Sequence, residues 1–334
     1  MSIETKTHGH LMASESAEAI EVFGRAATQT VDAGGLADSK VIFTIARGSS
    51  DAAANILSYE MMRELSVPVT SLPPSVFSLG KGVGVHGFGA LVISQSGASD
   101  DLVRAARGAG ANGASVVAIT NQPGSPVELA SETTVPIGAG PELAVPATKT
   151  VIGSVAAGMA LLGGIKPEYK TRIDASVAAL RNVSTAHPRA KDLQAALLRA
   201  RNVYVIGRDT GHGAAIEVAL KLKECCALHA EAYSASEVLH GPLQLATNPL
   251  MVLILDTGSD HIQDSLDQAE ARFRGVGCDV HRISPDDIGV SDLTPAAAAA
   301  VLLAVMYPVI LNTALALGLD PDVPETLSKV TQTT

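Results

Sequence analysis

"VIFTIARGSSDAAANI" (41–56) decides the fold, because its pattern occurs twice. Laid over "NVYVIGRDTGHGAAIE" (202–217), it matches at an offset of 161 residues, which pairs Arg47 with Arg208 and the Ala pair 53–54 with 214–215. The same offset carries "ALVISQSG" (90–97) onto "MVLILDTG" (251–258). Each block is a β-branched apolar run, then a Gly/Ser/Asp loop, then a helix-like stretch, which is the βα unit of a parallel sheet. The pattern predicts two similar α/β halves. Further strands are expected at 116–120 and 133–137 in the first half and at 279–283 in the second. A first helix is expected near 14–31, with Ser14 or Ser16 as its cap. These readings divide the chain into an N-terminal helix (1–34), a first unit (35–168), a linking helical segment (169–200), a second unit (201–320) and a C-terminal tail (321–334).

Composition agrees with that architecture. The chain has 334 residues, of which 47% are hydrophobic and 17% charged, so it can bury a sizeable core. Aromatics are 3% and Trp is absent, which leaves Ala, Val, Leu and Ile to pack helices on buried strands. A formal charge of -10, with no basic patch, argues against nucleic acid as a partner. A small anion remains a candidate ligand, because it responds to local donors. The three cysteines, two of them adjacent (Cys225 and Cys226), form neither a disulfide framework nor a metal pair. They read as reduced, apolar side chains, and the N-terminus lacks a signal-peptide h-region, so a cytoplasmic protein is expected. The uncharged stretch 295–318 is long enough for a membrane span. Pro308, Asn312 and acidic near flanks make a buried core helix the better reading, and no membrane partner is expected.

"ARGSSD" (46–51) and "SQSGASDD" (94–101) each follow a strand and open a helix. Ligands of open parallel sheets bind at the carboxyl ends of the strands. Helix N-termini there offer free N–H groups and a positive dipole end. Ser49, Ser50, Ser94, Ser96 and Ser99 would add hydroxyl donors, giving a phosphate cradle without a Lys. Either loop alone reads better as turn and capping chemistry, and it is the pair of loops in one half that points to a ligand. In "KLKECCALHAEAYSASEVLHGP" (221–242), Lys221 and Glu224 are three apart and Glu217 extends their face by another turn. Spacing alone reads as a solvated ion-pair ladder.

Taken in order, "ARGSSD", "ISQSG", "GPELAVPATKT" (140–150), "ALKLKE…HAEAY…HGP" and "GLDPDVPETLSKVT" (318–331) resemble the sugar isomerase (SIS) family. The likeness is strongest to the isomerase half of glucosamine-6-phosphate synthase and to stand-alone aminosugar-phosphate deaminases and isomerases. It implies two flavodoxin-like SIS subdomains, each a parallel sheet flanked by helices, and a homodimer with shared active sites. By position, Ser50, Ser94, Gln95, Ser96 and Ser99 match the family's phosphate-holding residues, with Gly48 in the same loop. Ser49 and Val145 match sugar contacts. Glu224 falls where the family keeps the base that moves a proton between sugar C1 and C2, and Lys221 where a second catalytic lysine lies. His240 matches a ring-opening histidine supplied by the neighbouring subunit, and Lys329 a tail lysine that closes over the open-chain sugar.

Departures narrow the expectation. Met1-Ser2 leads straight into the first helix, so glutamine is not the expected ammonia source. Ala98 replaces an acidic residue, Ser99 a Thr, Leu239 a Lys and Ser236 a Gly. The form around Glu142 and "SQSG" looks more like the deaminase branch. The expected activity is aldose–ketose isomerisation with deamination of an amino sugar phosphate such as glucosamine 6-phosphate, giving fructose 6-phosphate and ammonia. The alternatives are an isomerase or deglycase of another sugar phosphate, or a non-catalytic sugar-phosphate-binding regulator. No metal or redox cofactor is expected, and a general base at Glu224 would serve best with its pKa raised toward neutral.

Overall fold

The structure is a computed structural model and describes residues 7–329. The first half runs β1 (Ile42–Ile45), α3 (Gly48–Leu65), β2 (Val69–Ser71), α4 (Ser75–Ser78), β3 (Gly89–Ser94), α5 (Asp100–Ala111), β4 (Ser115–Thr120), α6 (Pro126–Leu129) and β5 (Thr133–Pro136). It is preceded by α1 (His10–Ala17) and α2 (Ala19–Ala27) and followed by α7 (Lys149–Ile165), α8 (Pro167–Leu180) and α9 (Ala190–Arg199). The second half comprises β6 (Asn202–Gly207), α10 (Thr210–Cys226), β7 (His229–Ser234), β8 (Met251–Leu255), α11 (Gln263–Gly275), β9 (Asp279–Ile283) and α12 (Pro295–Ala316). The two sheets, ordered β2-β1-β3-β4-β5 and β7-β6-β8-β9, are parallel throughout. These are the two helix-flanked parallel sheets expected of flavodoxin-like SIS subdomains. Ile42 stands opposite Gly89, and Val203 opposite Met251. β3 and β8 are buried along their whole lengths, as strands covered on both faces must be.

Between the sheets lies a shared helical core. α2 packs on α7, α3 on α10, and α10 on α12. One apolar cluster joins Ile56 and Leu57 of α3, Val155 of α7, Val218 of α10 and Leu303 of α12. The stretch 295–318 is this core helix: α12 starts at Pro295, capped by the Thr294 hydroxyl 3.3 Å from the Ala297 N–H. It is buried along nearly its entire length and carries Pro308 inside. α3 and α10 both end on a residue in the left-handed conformation, Ser66 and Ala227. Those two positions are 161 residues apart, the offset that aligns the two halves in sequence.

Three local expectations need correction. The first helix is broken at Glu18 into α1 and α2, ending at Ala27. Neither Ser14 nor Ser16 caps it; their hydroxyls donate back to the Leu11 and Ala13 carbonyls within α1. The free N–H groups of Leu11 and Met12 instead donate to the Asp322 carboxylate at 2.9 and 2.8 Å, so the cap comes from the tail. The strands β2 and β7 were not expected from the sequence.

Candidate active site

The carboxyl end of the first sheet and the N-terminal half of α3 frame a cavity of about 560 Å³. Gly48, Ser49 and Ser50 enter it from the start of α3. Ser94, Gln95, Ser96 and Ser99 enter from the loop between β3 and α5. Gly48 has φ +54°, and this left-handed turn suits a residue without Cβ. Neither α3 nor α5 carries a side-chain cap at its N-terminus, so both helices direct uncapped N–H groups at the same end of the cavity. Ser94 and Ser96 accept loop N–H groups from Gly97 and Ala98 at 3.1 and 3.3 Å, which leaves each hydroxyl proton available to a ligand. Arg47 ties the two loops together by an ion pair with buried Asp101, 2.9 Å from Nε to Oδ2. This arrangement can bind a small oxyanion through neutral donors.

The second half does not repeat it. Its loops carry Asp209, Asp256, Asp260, Asp286 and Asp292. Asp256 is engaged by Arg282 at 2.8 Å and Asp209 by Arg63 at 2.6 Å. Acidic loops repel an anion, so the two halves have equivalent sheets and unlike loops.

The opposite wall of the cavity comes from α10, where Lys221 and Glu224 line it. The Lys221 side chain is only 1% exposed; its Nζ donates to Ser49 Oγ at 2.8 Å and to Glu224 Oε2 at 2.6 Å. α10 reaches α3 this closely because Gly213 sits at their crossing: a Cβ there would stand 2.7 Å from the Ile56 backbone nitrogen. The Glu224 side chain is 24% exposed and faces the cavity in the last turn of α10. A carboxylate held by a lysine and open to a ligand can act as a general base.

The fourth wall is the loop before α7 and the tail. Val145 and Ala147 line it together with Leu327, Ser328 and Lys329. The tail lysine is held by an ion pair: Lys329 Nζ lies 3.2 Å from Glu142 Oε2. Glu142 is buried and also accepts the N–H groups of Thr148 and Thr150, both at 3.0 Å, and the Thr150 hydroxyl at 2.5 Å. One carboxylate therefore fixes the start of α7 and the tail lysine together.

Of the twelve residues expected at the site, the structure brings eleven to this cavity. His240 is the exception; it lies exposed between two 3-10 turns beyond β7 and does not line the cavity. Sequence reasoning missed two carboxyls. Glu142 appeared only as part of a motif. Glu217 stands out in the sequence only as an extension of the Lys221–Glu224 face, yet its side chain is 0% exposed and its Oε1 lies 3.2 Å from Lys221 Nζ. Burial pushes the Glu217 carboxyl up to about 7, opposed by the charge of Lys221 and reinforced by that of Glu224. Burial also raises the Cys225 thiol and pushes Cys226 up to about 12, so both behave as inert core residues. Among the described residues no cluster of His, Cys, Asp or Glu has the grouping a metal ion needs.

The architecture has counterparts among known proteins. The SIS domain family model matches the chain at residues 35–163 and again at 196–284. The protein belongs to the SIS domain family. It is 31% identical over 324 residues to the glutamine–fructose-6-phosphate aminotransferase (isomerizing) of Aeropyrum pernix, covering 89% of this chain and 52% of that one. The chain thus spans about half the length of the curated relatives it matches. Among solved structures, a Silicibacter pomeroyi protein provisionally named a phosphosugar isomerase superposes with a TM-score of 0.82 at 30% identity, covering 93% of this chain and 99% of that one. The glucosamine-6-phosphate deaminase of Thermotoga maritima shares the fold with a TM-score of 0.74 at 18% identity, covering 97% and 100%.

Proposed function

We propose that the protein is a phosphosugar isomerase that deaminates an amino sugar phosphate, with glucosamine 6-phosphate as the leading substrate. The observation that carries this reading is the polarity of one cavity. Uncapped helix N-termini and serine hydroxyls occupy one end, and the Lys221–Glu224 pair occupies the other. A phosphate held by Ser50, Ser94, Ser96, Ser99 and Gln95 directs the far carbons of the sugar toward Glu224.

In the open-chain substrate Glu224 removes the C2 proton, α to the C1 aldehyde, and returns it to C1. The C2 amine becomes an imine, and water hydrolyses it to the ketose phosphate and ammonia. Lys221 steadies the Glu224 carboxylate between proton transfers. Lys329, anchored by Glu142, polarises the sugar oxygen next to the reacting carbons. Positioned acid–base catalysis of this kind is worth about 10²–10⁴-fold. His240, which does not line its own cavity, serves ring opening in the site of a second subunit of a homodimer. The test is a coupled assay of purified protein with glucosamine 6-phosphate. Equal amounts of fructose 6-phosphate and ammonia are expected. If neither forms while sugar phosphate still raises the melting temperature, the pocket is a binding site for a different substrate or for a regulator.

A further inference from the structure

α10 carries three charged side chains at successive turns, Glu217, Lys221 and Glu224. Lys221 and Glu224 line the cavity, whereas Glu217 lies one turn further in and does not. Its Oε1 is 3.2 Å from Lys221 Nζ and 3.3 Å from the Tyr307 hydroxyl of α12, while Oε2 is buried without a hydrogen-bond partner among the described residues. An ionised carboxylate with one bare oxygen is costly in such a place, so gain or loss of a proton there is finely balanced. The titratable and polar groups around it are Lys221, Glu224 and the Cys225 thiol from its own helix, Tyr307 from α12 and the Ser49 hydroxyl from α3. The strands beneath α10 contribute Val203, Val205 and Leu253 to the surrounding core.

We propose that Glu217 is a positioning residue that sets the basicity of Glu224 through Lys221. When Glu217 is neutral, the Lys221 ammonium is committed to Glu224 and Ser49, and Glu224 is a weaker base. When Glu217 is ionised, the ammonium is shared between two carboxylates and Glu224 becomes a stronger one. Turnover therefore rises with pH as Glu217 loses its proton. Burial places that ionisation at about 7.

The inference rests on the isomerase reading, and the test separates the two. Infrared difference titration of the ligand-free protein reads a protonated-carboxyl band that disappears as pH rises through neutrality and is absent in Glu217→Gln. It needs no turnover. In kinetics, Glu217→Gln loses the ascending limb near neutrality and drops kcat about tenfold at pH 8, with KM changed less than about twofold. Tyr307→Phe removes a hydrogen bond that favours the carboxylate, so both the band and the limb move to higher pH. This variant keeps the test open if Glu217→Gln fails to fold. A limb that stays in place in whichever variants fold overturns the proposal, even where the infrared band titrates. Absence of any turnover by the wild-type protein fails the isomerase reading and the role of Glu217 with it, whereas turnover with a carboxyl band that does not titrate overturns the role of Glu217 alone.

Discussion

Replacing Gly213 by Ala tests the helix crossing on which the site depends. An added Cβ would stand 2.6 Å from Ile56 Cγ1, 2.7 Å from the Ile56 nitrogen and 2.9 Å from the Ala52 carbonyl oxygen. The Ile56 side chain can turn away, but the α3 backbone cannot. Restoring ordinary contact moves α10 off α3 by about 1 Å, because a close-packed interior has no slack to absorb it. Overpacking of this kind costs about 1–3 kcal/mol, offset by the gain of up to about 1 kcal/mol when Ala replaces Gly in a helix. Gly24 in α2 provides the control, since its Cβ would meet only Val177 Cγ1, at 3.7 Å. G24A therefore keeps or gains stability, and G213A falls about 2 kcal/mol below it in urea unfolding. A second consequence follows two turns along α10. The same displacement opens the 2.8 Å bond from Lys221 to Ser49, and a 1 Å misplacement costs about 10²-fold in kcat/KM. If G213A matches G24A in both stability and turnover, the crossing does not position the site.

Two further outcomes follow from the buried carboxyls. Glu142→Ala leaves the Thr148 and Thr150 N–H groups without their acceptor and Lys329 without its partner, and is expected to cost about 3–5 kcal/mol in urea unfolding; a loss under about 1 kcal/mol would show that Glu142 does not tie the tail to α7. Glu217 is raised in the folded state from 4.5 to about 7, so the protein holds a proton there that the unfolded chain releases. Its stabilising contribution is full below about 4.5 and is lost as pH rises through about 7, a change of about 3 kcal/mol. The stability of wild type relative to Glu217→Gln should fall by up to that amount between pH 5 and 8, and a difference that is constant over this range contradicts the assignment.

What the sequence disclosed was whatever is encoded locally. A β-branched run, a Gly/Ser loop and a helix start are contiguous in 41–56 and 90–101, so both loops of the anion end were readable. β2 was not, because Val69–Ser71 is three residues at a sheet edge. β7, "HAEAYS", is also an edge strand, and it has none of the β-branched residues that mark the other strands. Glu217 failed for a different reason. Helical spacing shows which side chains share a face, but not that α3 and α12 cover that face. Glu142 likewise gains its role from partners at 148, 150 and 329, of which the last is far away in sequence. The resemblance supplied Lys329, where the residues alone favoured a solvated tail; the ion pair with Glu142 now gives that position a physical reason.

A Glu224 that moves a proton on a sugar held by its phosphate must also exchange that proton with solvent. The most direct measurement is solvent deuterium exchange into fructose 6-phosphate, followed by proton NMR at C1, for wild type and Glu224→Gln at equal saturation. The wild-type protein should exchange one C1 proton, and Glu224→Gln should bind the sugar phosphate with similar affinity while exchanging it about 10²-fold or more slowly. Exchange at the same rate in both proteins would move the base to another residue.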